Sequence, residues 1–216
     1  MKKNIMVLDI VCYAAIPYLL WAHGRDIFGD YLALLLSTVP GFIYTVYRFI
    51  KERQFNIAGL SIIGSLVIST TVNLLSATAE SMLWNQVYLG FGYAAFFLLS
   101  MAIRKPLALY FAVDWAYLQG YRRKDSLALY NTKGIFVWYQ LLTLVFVFRC
   151  VFQNSLKAWL IQAYGVDAYG QLLIYMNISG FIFSGIIFAG FIFVGVKINK
   201  FLEAGRHEQT VKPLEG

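Results

Sequence analysis

Three polar side chains follow one another within an otherwise apolar stretch of the C-terminal half. Arg149, Gln153 and Lys157 are four residues apart, so they share one face if the stretch is helical. A charge among apolar residues is costly unless it is paired or hydrated, and it marks a candidate functional site. Asn177, in the next apolar stretch, is expected at a similar depth. The pattern predicts an outward-facing polar cavity floored by Arg149, which would favour an anionic or polar solute.

Further amides extend this candidate cavity. Asn73, Asn85 and Gln86 are expected at the same end of their own apolar stretches. The alternative for Arg149 is structural, because a long side chain can reach outward to water while its stem stays in apolar surroundings. Gln153 and nearby carbonyls would then satisfy it. Both interpretations remain open from sequence.

Enzyme chemistry has little support in the sequence. It contains no phosphate-binding loop, nucleophile elbow or paired intramembrane carboxylates, and its only histidines are His23 and His207. Cys12 and Cys150 are expected at opposite depths, which disfavours a disulfide. We therefore expect no catalytic residue, no metal site and no cofactor.

Asp9 is the one acid that the pattern places clearly inside an apolar stretch. It lies too far from Arg149 in depth for a direct pair. We expect it to pair with a base near the same end, such as Arg48 or Arg104. A role in proton or cation coupling is the alternative.

Small and hydroxylated residues form two further stripes at helical spacing. The first consists of Ser61, Ser65 and Ser69, and the second contains Gly180 and Ser184. Small residues let membrane helices approach closely, so helix packing is the favoured interpretation. A polar stripe lining a pathway is the alternative.

Composition decides the class of protein to which these residues belong. The 216 residues are 60% hydrophobic and only 13% charged, with a mean hydropathy of +0.64. A soluble domain carries about twice that share of charge, so a soluble enzyme is excluded. We predict an all-α polytopic membrane protein with one domain over residues 1–200 and a polar cytoplasmic tail over 201–216. Its six predicted transmembrane helices cover about 5–22, 31–50, 57–77, 83–103, 135–156 and 171–196.

Basic residues give the predicted orientation. Of the 18 Lys and Arg residues, 15 fall in the termini and in the predicted loops on the same side of the membrane. Because cytoplasmic loops are enriched in Lys and Arg, both termini are expected in the cytoplasm. The net charge of +7 is therefore explained by the membrane, and nucleic acid is not expected as a partner.

An apolar segment over about 106–119 is too short to cross a bilayer. We expect an interfacial cytoplasmic helix, with a re-entrant segment as the alternative. Arg122, Arg123 and Lys124 follow it and are expected to contact anionic lipid headgroups.

Short patterns in the first 110 residues resemble bacterial inner-membrane proteins related to intracellular septation protein A. They include Leu8-Asp9-Ile10, Ile16-Pro17-Tyr18, the run 33–40 ending at Pro40, Ile43-Tyr44 leading to Arg48, Lys51 and Arg53, and Ser100 to Arg104-Lys105-Pro106. The resemblance implies a multi-span inner-membrane protein associated with envelope integrity or septation, without a defined catalytic activity. We expect it to act through protein or lipid partners, either as a homo-oligomer or with another membrane protein. The alternative is a small transporter or solute-binding protein with an outward-facing cavity.

Overall fold

The structure is a computed structural model that describes residues 8–51 and 56–210, with side chains up to residue 203. Every regular element in these ranges is helical, and they contain no strand. We number the helices α1 (Leu8–Lys51), α2 (Ile57–Leu74), α3 (Ala79–Ala102), α4 (Leu107–Leu118), α5 (Arg123–Tyr130), α6 (Lys133–Tyr164) and α7 (Tyr169–Thr210). A 3₁₀ turn over Gly165–Ala168 joins the last two.

Four of the described helical stretches are long and apolar enough to cross a membrane. They are Leu8–Lys51, Ile57–Leu74, Ala79–Ala102 and Lys133–Glu203. Each exceeds the roughly 17 residues that a bilayer core requires. The chain is therefore an all-α membrane protein, as the composition predicts.

Helix α1 reverses direction at Gly29. This residue has φ 76° and ψ 165°, a conformation that glycine adopts readily because it lacks a Cβ. Across the reversal, the Tyr13 hydroxyl lies 2.8 Å from Thr45 Oγ1, and a Cβ at Gly24 would lie 3.4 Å from Ala33 Cβ. The segments 8–28 and 30–51 are thus antiparallel partners, each of about 31 Å at 1.5 Å per residue.

Helices α2 and α3 form a second antiparallel pair. The hydroxyl of Tyr93 in α3 donates to the Ser65 carbonyl of α2 over 3.2 Å. The amide of Asn85 donates to Ser76 Oγ over 3.0 Å, close to the connection between the two helices. The side chain of Asn56 caps α2 by accepting from Gly59 N, so the helix begins where the sequence predicts.

Helices α6 and α7 run antiparallel on either side of the turn at Gly165, whose φ is 59°. Both extend beyond their predicted bounds. α6 covers Lys133–Tyr164 instead of 135–156, and α7 covers Tyr169–Thr210 instead of 171–196. Polar residues at helix ends break the hydropathy pattern without breaking the helix, so hydropathy alone underestimates length. Much of the predicted tail over 201–216 is consequently helical, and 211–216 lie outside the described residues.

The contacts divide the chain into two compact units. The first contains the described residues of 8–96 and 148–181, and the second contains 97–147 and 182–210. The core of the first unit includes the fully buried side chains of Leu34, Met82, Leu83 and Leu160, which come from α1, α3 and α6.

The second unit has a core of its own, built from α4, α6 and α7. Leu109 of α4 packs with Ile135, Tyr139 and Leu142 of α6 and with Val194 of α7. Half of α4 is buried, including Ala108 and Ala112. The helix α5 after it is not predicted from sequence, because it is only eight residues long and its first four residues are polar.

Candidate functional site

A chain of hydrogen bonds links three helices of the first unit. The ammonium of Lys157 in α6 donates to Gln86 Oε1 in α3. Gln86 Nε2 in turn donates to Asn73 Oδ1 in α2 over 2.8 Å. Lys157 is half-buried, and no carboxylate pairs with it among the described side chains. We refer to Lys157, Gln86 and Asn73 as the amide relay.

The chemistry of Lys157 fixes the orientation of both amides in the relay. An ammonium can only donate, so it requires the oxygen of Gln86. The Gln86 nitrogen must then face Asn73, which accepts through its own oxygen. The remaining group, Asn73 Nδ2, has two N–H donors and no hydrogen-bond partner among the residues that the structure describes. The relay therefore ends in the two N–H donors of Asn73, and the positive charge of Lys157 at its other end has no carboxylate beside it among the described side chains.

Asn73 and Gln86 of the relay line a cavity of about 330 Å³. This volume lies at the lower end of the range for small-molecule sites. The hydroxyl-bearing residues Thr38, Ser69, Thr70 and Tyr93 also line it, as do Phe42, Leu66, Leu89 and Gly90. Thr38 and Ser69 donate their protons to carbonyls of their own helices, so their oxygens can still accept. The site can thus both donate to a small polar molecule and accept from it.

Of two neighbouring polar residues, Tyr31 and Asn85, Tyr31 is the one that bonds to the relay. Tyr31 of α1 donates its hydroxyl to the Asn73 carbonyl over 3.2 Å, and Asn73 is buried. Asn85, predicted as a cavity residue, instead donates to Ser76 near the α2–α3 connection. Asn85 is not among the residues that line the cavity. Its bond stabilises the connection beside the site.

Arg149 belongs to a separate hydrogen-bonded set. Its Nε donates to Gln153 Oε1 over 3.3 Å, and Gln153 Nε2 donates to Ser179 Oγ over 3.2 Å. Asn177 donates to the Leu173 carbonyl of its own helix over 2.6 Å. Neither Arg149 nor Asn177 lines the cavity beside Asn73. The structure thus brings Asn73 and Gln86 together at one site and Arg149 and Gln153 together at another.

The three serines of the stripe on α2 do not all belong to the cavity. Ser61 and Ser65 donate to carbonyls of their own helix, and Ser61 is exposed. Only Ser69 of the three reaches the cavity. On α7, a Cβ at Gly180 would lie 3.7 Å from Gln153 Nε2, whereas Ser184 is exposed. Gly180 therefore serves close packing beside the Arg149 set.

Asp9 lies beside Arg48, one of the two bases considered from sequence. Arg48 Nη1 is 3.3 Å from Asp9 Oδ1, and the Tyr44 hydroxyl donates to the same oxygen over 2.7 Å. Both charged side chains are about one third exposed. The arrangement neutralises the acid and ties the two segments of α1 together.

Two of the three basic residues after α4 pair with acids. Arg123 Nη2 is 3.1 Å from Asp114 Oδ1, and its guanidinium lies 4.7 Å from the centre of the Tyr117 ring. Arg122 pairs with Asp125 at 3.4 Å on the surface. Asp114 is a second acid within an apolar segment that sequence reasoning missed, and it is only 2% exposed. The signal was available, because Asp114 occurs in the middle of the apolar run of α4.

Metal ligands do not cluster in the part of the chain that the structure describes: it holds no group of three or more His, Cys, Asp or Glu residues. Cys12 and Cys150 are both free thiols. The amide relay and its cavity form the candidate functional site. Comparisons with protein-family models, curated proteins and solved structures find no match to the chain.

Proposed function

We propose that this protein is a non-enzymatic membrane protein that binds a small oxyanion, such as a carboxylate, at the amide relay. The observation that carries the proposal is the hydrogen bond from Lys157 to Gln86 without a carboxylate partner for Lys157 among the described residues. A buried or half-buried cation that lacks an acid partner is costly, and a bound anion would offset that cost. Binding of this kind fits a small transporter or a solute-binding protein.

The donors at Asn73 support the same ligand class. Two N–H groups at the end of the relay can bind an acceptor oxygen, and charge-assisted bonds of this type are roughly twice as strong as neutral ones. The hydroxyl oxygens of Thr38 and Ser69 would accept from a second polar group on the solute. A cavity of about 330 Å³ limits the ligand to a small molecule.

The membrane topology belongs to the proposal as well. We infer six crossings, because α1 and the α6–α7 stretch each reverse direction and therefore each supply two apolar segments. Both termini would lie in the cytoplasm of a bacterial inner membrane, where the positive-inside rule places the basic segments. The cavity would then lie nearer the outer surface, since Asn73, which lines it, is one residue from the end of α2 that would face outward.

Direct binding measurements test the proposal. The full chain in lipid nanodiscs would be titrated by calorimetry with acetate, succinate and inorganic phosphate. We expect at least one of these anions to bind, and Lys157→Gln to weaken that binding by about tenfold or more, since hydrogen bonds to charged groups contribute about 1.5–3 kcal/mol.

Lys124→Gln is the matched control, because it removes the same charge from an exposed position. It should leave the affinity unchanged. Failure of all three anions to bind at millimolar concentration would overturn the proposal, as would an equal loss in both variants. The envelope and septation role that the resemblance implies stays a prediction. The resemblance specifies no binding residues that could be compared with the amide relay.

A further inference from the structure

The second unit contains a larger cavity, of about 730 Å³, which is independent of the amide relay. It is bordered by α4, α5, α6 and α7. Its volume lies well within the range of sites that hold drug-sized or lipid-like molecules. Every residue that lines it belongs to the second unit.

Polarity changes along the length of this cavity. One end is formed by Phe111 of α4 and by Phe188 and Ile192 of α7, all apolar. The other end contains Asn199 of α7 and Arg122 beside α5. The helical rise places residues 188 and 199 roughly 16 Å apart along α7. The cavity therefore matches an elongated molecule that is apolar at one end and polar at the other.

The polar end offers several groups for a headgroup. Arg122 and Asp125 lie 3.4 Å apart, and their side chains are 78% and 65% exposed. Tyr130 also lines this end, and its neutral phenol can donate a hydrogen bond. Opposite charges side by side complement the phosphate and ammonium of a zwitterionic headgroup.

We propose that this cavity binds one acyl chain of a membrane phospholipid, with the lipid phosphate beside Arg122. The chain lies between α4 and α7 and extends towards Phe111 and Phe188. Helices that are apolar over this length lie in a phospholipid bilayer, so the bilayer itself supplies the ligand. The headgroup remains at the polar end, where Asn199 and Tyr130 provide further donors.

A glycine in the wall of the cavity provides a position at which a larger side chain can fill it. Gly195 lines the cavity, and a Cβ built on it meets no atom within 4 Å. A larger side chain at this position would therefore occupy the cavity without displacing the core. Gly185, also on α7, has equally open surroundings and does not line the cavity, so it provides a matched control.

Photo-crosslinking tests the proposal. The full chain would be reconstituted with phosphatidylethanolamine that carries a diazirine near the end of one acyl chain, and adducts would be mapped by mass spectrometry. We expect adducts to concentrate at the apolar end of the cavity. Gly195→Leu should reduce them by about tenfold or more, whereas Gly185→Leu should leave them within about twofold of the wild type.

The headgroup is tested by a second variant and a second lipid. Arg122→Gln should reduce adducts of the phospholipid but not those of a diacylglycerol with the same photoreactive chain. Circular dichroism would establish that each variant is folded, and Ile192→Trp would replace Gly195→Leu if that variant does not fold. An even distribution of adducts over exposed apolar residues, or equal loss in both glycine variants, would overturn the proposal.

Discussion

Lys157 and Gln86 are joined by a hydrogen bond in which the ammonium donates to the amide oxygen, because an ammonium can donate but cannot accept. This single contact determines how Gln86 and then Asn73 are oriented. Each amide could otherwise exchange the positions of its oxygen and its nitrogen. With Lys157 as donor, both orientations are fixed, and the chain of hydrogen bonds ends in N–H donors at the cavity. The charge on Lys157 therefore determines the polarity of a site that it does not itself line.

Replacing the middle amide should reverse that polarity. In Gln86→Glu the introduced carboxylate would pair with Lys157, and Asn73 would have to turn its nitrogen towards the carboxylate. The cavity would then present an acceptor instead of donors. We expect anion binding to fall by about tenfold or more, without loss of thermal stability, because the new ion pair compensates the lysine charge. Binding and melting would be measured on the same sample.

Gln171→Glu is the control for this exchange, since Gln171 is an exposed residue of the same unit. It adds the same negative charge away from the relay and should leave binding unchanged. Retention of full anion affinity in Gln86→Glu would show that the orientation of the amides does not govern the site.

The buried acid Asp114 should make Arg123 important for stability. Arg123→Gln leaves a carboxylate that is 2% exposed without its 3.1 Å cation. Breaking a fully buried pair costs 3–5 kcal/mol, and the partial exposure of Arg123 lowers the expected loss to about 2 kcal/mol. Denaturation by dodecyl sulfate in mixed micelles would measure the free energy of unfolding.

Arg122→Gln provides the comparison, because its partner Asp125 is exposed. Exposed pairs contribute up to about 1 kcal/mol, so a change below that value is expected. If the two variants were equally stable, Asp114 would not depend on Arg123.

Close packing in the second unit predicts a glycine-specific effect. A Cβ at Gly190 would lie 2.6 Å from Leu142 Cδ1, and Leu142 is itself buried with little freedom to move. Gly190→Ala should therefore destabilise the protein by about 1–3 kcal/mol, the usual cost of an overfilled core. In a Leu142→Ala background, where Leu142 Cδ1 is gone, Gly190→Ala should cost less than it does in the wild type, as measured by the same denaturation experiment.

Gly185→Ala tests whether the effect comes from packing. A Cβ at Gly185 meets nothing within 4 Å, and alanine is the better helix former by up to about 1 kcal/mol. This variant should be as stable as the wild type or more stable. A loss equal to that of Gly190→Ala would point to a general need for glycine in α7.

The sequence predicts the helical class and the main apolar segments because hydropathy and charge depend only on local composition. It also predicts that Asp9 meets a base at its own end of the helix pair, and Arg48 is that base. It does not predict which polar residues meet, because helix rotation and neighbours are set by packing. Arg149 and Asn73 look equivalent in the pattern, yet they belong to different hydrogen-bonded sets.

Asp114 and Lys157 are two residues whose contacts the sequence does not predict. Asp114 lies in an apolar run that is too short to cross a bilayer, so a search for acids inside full-length spans passes over it. Lys157 lies near the predicted outer end of its span, where a lysine would ordinarily reach water. Its bond to Gln86 depends on α3 lying against α6, which no local pattern encodes.

Protection of a cavity residue by the bound anion is the sharpest test of binding at the amide relay. Thr70 lines the cavity, whereas its neighbour Thr71 does not and donates to the Val67 carbonyl instead. Each would be replaced by cysteine in a variant with Cys12→Ser and Cys150→Ser, and labelled with a membrane-impermeant methanethiosulfonate. The anion selected by calorimetry should slow labelling of Thr70→Cys by about tenfold and leave Thr71→Cys unaffected, and adding Lys157→Gln should abolish this protection. An absence of labelling at Thr70→Cys in the folded protein, or equal protection of both positions, would rule out anion binding at the amide relay.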